Sequence, residues 1–72
     1  MTKKMRVLRD IKFLAEEKDA VLAALGLLDV MKTNHEDQPM RDFFAQRHGL
    51  YIKDFDLIEA CLKDLKSQLV RL

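Results

Sequence analysis

The chain has 72 residues, of which 49% are hydrophobic and 35% charged, and its formal net charge at pH 7 is +1. Two glycines, one proline and a single cysteine fit one folded helical domain and exclude an internal disulfide framework. The small net charge argues against a strong general attraction to nucleic acid or membrane. No run approaches the roughly 20 apolar residues that cross a bilayer, and we expect a cytoplasmic location.

Residues 4–32 are predicted to form one long helix. Apolar residues recur there at steps of three and four, as expected for one face of a helix, and Lys18 interrupts the series. The series consists of Val7, Ile11, Leu14, Val21, Leu25 and Leu28. Lys18 either sets the register of the pairing with another helix or carries its charge out to the edge of the seam.

The start of this helix is basic. Five Lys or Arg residues and only one carboxylate, Asp10, fall within the first twelve residues. The cations are Lys3, Lys4, Arg6, Arg9 and Lys12. Such a run is usually a solvated, frayed helix end, and it also suits contact with an acidic partner or a nucleic acid backbone.

The segment 20–28 (AVLAALGLL) has no polar side chain. On a helix these nine residues point in every direction, so a helix of this kind must be covered on every side. A chain this small buries only about 60% of its unfolded surface and lacks the material to cover such a helix alone. The segment therefore predicts a second copy, or another protein, packed on the first helix.

Two further elements follow a predicted loop at residues 33–39. A short connecting helix is predicted at about 40–48, ended by Gly49 in the left-handed conformation. A last helix is predicted at about 54–72, with Asp54 as its N-cap. The seam of the last helix repeats at steps of three and four without a gap, through Phe55, Ile58, Leu62, Leu65, Leu69 and Leu72.

The predicted fold is all-α: a single domain over residues 1–72 that folds as a helical hairpin with a long helix, a short connecting helix and a second long helix. Two such hairpins would form a four-helix bundle, with a dimer favoured. The residues predicted to form the oligomer interface are Val21, Leu22, Leu25, Leu28, Ile58, Leu62, Leu65 and Leu69.

Residues 41–60, from Arg41 to Ala60, carry small, glycine and apolar positions at a recognisable spacing. These are Phe44, Ala45, Gly49, Leu50, Phe55 and Ile58. The spacing resembles that of helix-turn-helix proteins, which implies two short helices crossing at a steep angle. His48 departs from that pattern, and the carboxylates of Asp54, Asp56 and Glu59 would repel DNA phosphates. DNA binding is therefore disfavoured.

The sequence does not predict a metal site, a catalytic site or a phosphate-binding loop. His35, Glu36 and Asp37 read as a polar loop that caps the next helix, and with His48 they match no known metal spacing. Cys61 is expected to be a half-buried apolar residue. The chain has no pairing of nucleophile and base and no glycine-rich phosphate loop. We therefore expect no enzymatic activity, no metal and no cofactor.

The function that these patterns favour is that of a small adaptor or regulator acting through protein–protein contacts of a self-associating helical bundle. Its expected partner contacts are Lys3, Lys4, Arg6, Arg9, Phe43, Phe44 and Tyr51. The basic residues suit an acidic partner, and aromatic residues dominate binding energy when they reach an interface. The alternative is a dimeric nucleic-acid-binding regulator that uses residues 41–60 or the basic N-terminal residues. A third reading is a piece of a larger assembly that does nothing alone.

Overall fold

The computed structural model describes residues 2–72, which form two long antiparallel helices. Helix α1 spans Lys3–Asn34 and helix α2 spans Gln38–Arg71. The hairpin is a rod of 52 × 15 × 13 Å, and the part of the chain that is described contains no strand. The prediction of an all-α helical hairpin is confirmed.

The helix ends follow from side chains that satisfy free backbone groups. Thr2 is the N-cap of α1, and its hydroxyl accepts the Met5 N–H at 3.2 Å. At the other end of α1, the Thr33 hydroxyl donates to the carbonyl of Asp29 or Val30, both 3.1 Å away. The link is only residues 35–37, shorter than the predicted loop, because α1 continues to Asn34 and α2 already begins at Gln38.

The turn is held by a small polar network. The Asp37 N–H donates to Nδ1 of His35 at 3.0 Å. The Arg41 guanidinium reaches back to the His35 carbonyl and to the Gln38 side-chain oxygen. Pro39 lies in the first turn of α2, where its missing N–H costs no hydrogen bond. These contacts fix the reversal of the chain within three residues.

The prediction of a short connecting helix is wrong, because α2 runs without interruption through Gly49 and Asp54. No described glycine has a positive φ, so Gly49 is an ordinary helical residue and Asp54 caps nothing. Glycine permits a left-handed stop but does not require one. The helix-turn-helix corner predicted for residues 41–60 is likewise wrong, since this segment is one uninterrupted stretch of α2.

The two helices pack along one heptad seam. On α1 the seam is the predicted series from Val7 to Leu28, with Lys18 included and Lys32 at its end; on α2 it runs without a gap through Arg41, Phe44, His48, Tyr51, Phe55, Ile58, Leu62, Leu65 and Leu69. This is the a/d spacing of a coiled coil. The buried residues of this single layer are Val7, Val21 and Leu62.

A core one layer thick leaves much surface in water. The accessible surface is 5466 Å², whereas a compact monomer of 8.4 kDa is expected to expose about 4,600 Å². The excess, about 850 Å² on the same scaling, goes with the elongated shape of the rod, and large apolar side chains outside the seam are part of this exposed surface.

Gly49→Ala tests the continuity of α2. An added Cβ at Gly49 would meet no atom within 4 Å, and alanine is the better helix former by about 1 kcal/mol. We therefore expect Gly49→Ala to raise the free energy of unfolding by about 0.5–1 kcal/mol, measured by urea denaturation followed by circular dichroism. A loss of stability of similar size would indicate a left-handed Gly49 and restore the predicted break.

Candidate interaction surface

One side of the hairpin carries large apolar side chains that face water. On α1, Phe13 and Leu27 are 59% and 65% exposed, and Ala20 lies midway between them at a spacing of seven residues. On α2, Phe43, Leu50 and Leu57 also lie seven residues apart, and Leu57 is 65% exposed. A seven-residue spacing keeps side chains on one stripe of a helix, so each helix has a second apolar stripe beside its seam.

The two stripes lie on the same side of the hairpin. In both stripes, each residue comes directly before a seam residue that is followed by a step of four. Phe13 precedes Leu14 in this way, and Leu57 precedes Ile58. In an antiparallel pair, equivalent flanking positions of the two helices adjoin each other. The structure shows this toward the open end of the hairpin, where α1 begins and α2 ends. A groove of about 510 Å³ there is lined by both helices. Its apolar lining includes Phe13 and Leu14 of α1 and Ala60, Cys61 and Leu65 of α2.

We call this side the apolar flank. Small and flexible apolar side chains fill the positions between the two stripes. The complete flank comprises Phe13, Ala20, Ala24, Leu27 and Met31 of α1 and Met40, Phe43, Leu50, Leu57 and Cys61 of α2. It runs along most of the rod.

Charge is distributed unevenly along the apolar flank. Its turn half, residues 20–53, has one charged side chain, Arg47, whose guanidinium lies 5.6 Å from the centre of the Phe43 ring. A cation over an aromatic face is held in place by the ring quadrupole. The open half of the flank, formed by residues 3–19 and 54–72, carries four carboxylates at these positions, those of Asp10, Glu17, Asp54 and Asp64. Lys3, Arg6 and Arg71 occupy the same stripes at its tip, so the carboxylates nearest the turn half are those of Glu17 and Asp54.

The opposite side of the hairpin is mixed. Leu8, Leu22 and Ile52 are exposed there. Charged side chains separate them, among them Lys12, Asp19, Asp56, Lys63 and Lys66. An apolar surface broken up by charges is the ordinary state of a soluble helix face, so this side is a weaker candidate for an interface.

Lys18 lies in the seam with its charge at the edge. Its Nζ is 2.8 Å from Oε1 of Glu59 on α2 and 5.8 Å from the centre of the Phe55 ring. The side chains of Lys18 and Glu59 are each about a third or more exposed, so their ion pair is well hydrated. Lys18 therefore covers the seam with its methylene stem and marks the register of the two helices.

The predicted interface residues lie mostly inside one chain. The structure places Val21, Leu25, Leu28, Ile58, Leu62, Leu65 and Leu69 in the seam between α1 and α2. Leu22 faces water on the mixed side. Among the predicted aromatic contacts, Phe44 and Tyr51 are half-buried in the seam, and only Phe43 lies on the apolar flank.

Sequence reasoning missed four residues that dominate the apolar flank: Phe13, Leu27, Leu50 and Leu57. Their signal was present, since each lies seven residues from another member of its stripe or from Ala20. The predicted break at Gly49 hid the stripe on α2, because Phe43, Leu50 and Leu57 were assigned to different elements.

The basic N-terminal residues gain neighbours from the other end of the chain. Lys3, Lys4, Arg6 and Arg9 are all exposed, and Nε of Arg9 lies 3.6 Å from Oδ1 of Asp10. The last turns of α2, with Lys63, Lys66 and Arg71, lie alongside. Residues 3–12 and 63–72 together hold eight Lys or Arg and two Asp or Glu. This basic end carries a net charge of +6 in a protein whose total is +1.

The turn end gathers a different set of polar groups. Asp29 lies 3.2 Å from Nζ of Lys32 and 4.0 Å from Nε2 of His48, and the His35 ring is 6.0 Å from that of Phe44. Within residues 2–72 no group of three or more His, Cys, Asp or Glu side chains has the arrangement of a metal site. Cys61, predicted to be half-buried, is an exposed free thiol.

Comparison with known proteins gives no relative: no family model, no curated protein and no solved structure matches this chain. In residues 2–72 neither helix contains a stretch long and apolar enough to span a membrane. The candidate surface therefore rests on its own geometry.

Glu59→Gln tests the role given to Lys18. A hydrated pair of this kind contributes about 0.2–1 kcal/mol, so we expect the substitution to lower the free energy of unfolding by less than about 1 kcal/mol. The difference should vanish in 1 M NaCl, where charges are screened within about 3 Å. Paired urea titrations at low and high salt measure both effects. A loss well above this range that persists in salt would show that the pair is buried and essential.

Proposed function

We propose that the protein is a small adaptor or regulator that acts through protein–protein contacts, and that two hairpins associate through their apolar flanks into a four-helix bundle. The observation that carries this proposal is the apolar flank itself. Its large side chains repeat every seven residues on both helices and leave Leu27 and Leu57 each 65% exposed. Contiguous exposed apolar surface of this kind marks interaction sites on soluble proteins.

The amount of surface supports a dimer. The hairpin exposes about 850 Å² more than a compact monomer of its mass would. A stable interface buries about 800 Å² on each partner. One apolar flank packed on another would therefore bring the exposed surface of each copy back to the range of an ordinary domain.

The shape of the surface supports a binding role over an enzymatic one. Apolar side chains at heptad spacing on a straight helix pair form a site for other helices. The flank has alanines next to leucines and phenylalanines, the alternation that lets helices interdigitate. We further propose a cytoplasmic location, since an exposed free thiol such as Cys61 persists most readily in a reducing compartment.

Leu27→Asp and Leu57→Asp test the proposal. Neither side chain belongs to the seam, so each variant should keep its helical circular dichroism. Each introduces a charge into the proposed contact between copies, where burial of an unpaired charge costs several kcal/mol. We expect the wild-type protein to have twice the 8.4 kDa chain mass by light scattering, and each variant to raise the dimer dissociation constant about a hundredfold or more.

Val30→Asp is the matched control. Val30 is 51% exposed on the side of α1 opposite the seam, outside the apolar flank. The Val30→Asp substitution should therefore leave the dimer dissociation constant unchanged. A wild-type chain that remains monomeric at high concentration would refute the proposal. So would equal effects of Leu57→Asp and Val30→Asp.

The basic end favours a second candidate function, the binding of a polyanion such as nucleic acid. Its support is the net charge of +6 over residues 3–12 and 63–72. Binding of this kind releases counterions, so its affinity falls steeply as salt is added. The predicted corner at residues 41–60 has no part in it.

A fluorescence anisotropy titration of a random DNA duplex, repeated at several salt concentrations, tests this candidate. If the basic end binds nucleic acid, the logarithm of the association constant falls linearly with that of the salt concentration. Lys3→Glu combined with Lys66→Glu then abolishes binding, while Lys53→Glu, in the middle of α2, leaves it intact. Absence of binding even at low salt would eliminate the candidate.

A further inference from the structure

We infer that the second copy docks antiparallel on the apolar flank, with Arg47 of each hairpin facing Asp54 of the other. This inference rests on the proposed self-association and adds to it the direction and the register of the pairing. Both follow from the way charge is distributed along the flank.

The first step is the imbalance between the two halves of the flank. Arg47 is the only charged side chain of the turn half, and it forms no ion pair with any of residues 2–72. Asp54 and Glu17, at the beginning of the open half, likewise have no cation within ion-pairing distance among the described residues. The flank of one copy thus carries one cation and two carboxylates that form no ion pair within their own chain.

The second step is direction. In a parallel dimer, equal levels of the two hairpins meet, so carboxylates would face carboxylates and Arg47 would meet apolar side chains. The two basic ends, each with a net charge of +6, would also adjoin each other. Juxtaposed like charges cost several kcal/mol across an interface. An antiparallel dimer instead lays the turn half of one copy on the stretch of the other that carries Asp54 and Glu17, and it separates the basic ends.

The third step is register. Arg47 and Asp54 lie seven residues apart, about 10 Å along α2, so pairing them across a twofold axis places the axis near Leu50. The same axis sets Leu50 against its copy and Phe43 against Leu57 of the second copy. On α1 it brings Ala20 and Ala24 opposite Met31 and Leu27, small residues against large. Asp10 and Asp64 remain outside the contact, in water.

A register with full overlap of the two rods is less favourable. It would move the axis to the middle of the hairpin and gather Glu17 and Asp54 of both copies around it without a cation. The pairing about Leu50 also uses an Arg47 side chain that is already in place. Its stacking on the exposed Phe43 ring keeps the guanidinium on the flank before the second copy binds.

A charge-swap cycle tests the register. We expect Arg47→Glu and Asp54→Arg each to raise the dimer dissociation constant about tenfold or more, because each sets like charges face to face. The double variant should recover most of the wild-type affinity, because a carboxylate at position 47 then faces a guanidinium at position 54 of the other copy. Lys53→Glu is the matched control: it makes the same charge change next to Asp54 but outside the flank. Analytical ultracentrifugation measures all five proteins.

A distance measurement tests the direction independently. A spin label on Glu36→Cys, in a Cys61→Ser background, marks the turn. Antiparallel pairing about Leu50 places the two turns roughly 40 Å apart, whereas parallel pairing sets them within about 20 Å. Pulsed electron paramagnetic resonance distinguishes these distances.

The outcomes separate the inference from the proposed function. A monomeric wild-type chain would remove both. A dimer that Leu57→Asp dissociates, but whose labelled turns lie within about 20 Å, would keep the proposed function and overturn the antiparallel arrangement. A dimer with distant turns in which the double charge variant is no tighter than the single ones would overturn the pairing of Arg47 with Asp54.

Discussion

The structure depends on one geometric constraint: two straight helices can bury only one stripe each against the other. That stripe is the heptad seam, and its deepest members are Val7, Val21 and Leu62. Most other apolar side chains stay on the surface, however many the sequence supplies. The chain supplies enough for a second stripe on each helix, and the antiparallel hairpin places both second stripes on one side. The proposed self-association rests on this shortage of partners within a single copy, and the proposed adaptor role rests on self-association.

Sequence reasoning predicted the hairpin because its signals are local. Steps of three and four residues mark each helix, and Pro39 with its polar neighbours marks the turn. The nine apolar residues at 20–28 also indicated that α1 has more apolar surface than one seam can cover. Sequence reasoning did not identify which apolar residues of this segment stay exposed. Val21, Leu25 and Leu28 face α2 within the same chain, while Leu27, outside the seam, faces water. Which stripe packs inside depends on the partner helix, and that is a tertiary property.

Gly49 caused the main error. A glycine after a histidine and before a leucine suits a left-handed helix end, but the heptad spacing from Arg41 to Leu69 runs straight through it. Packing of a long seam outweighs a local preference of about 1 kcal/mol. His48 and Tyr51 gave no apolar signal at seam positions, so the continuity of α2 was hidden where polar and aromatic side chains replace leucine. The basic end was likewise only half visible, because residues 63–72 join residues 3–12 only once the chain reverses at residues 35–37.

The central claim is that the apolar flank is covered by a second copy. Hydroxyl-radical footprinting of the wild-type protein, read by mass spectrometry well above and well below the concentration at which it associates, tests this claim most directly. The account predicts that oxidation of Leu27, Leu50 and Leu57 falls at high concentration while that of Val30 stays constant. Equal oxidation of all four side chains at both concentrations would show that the flank remains in water and would contradict the account.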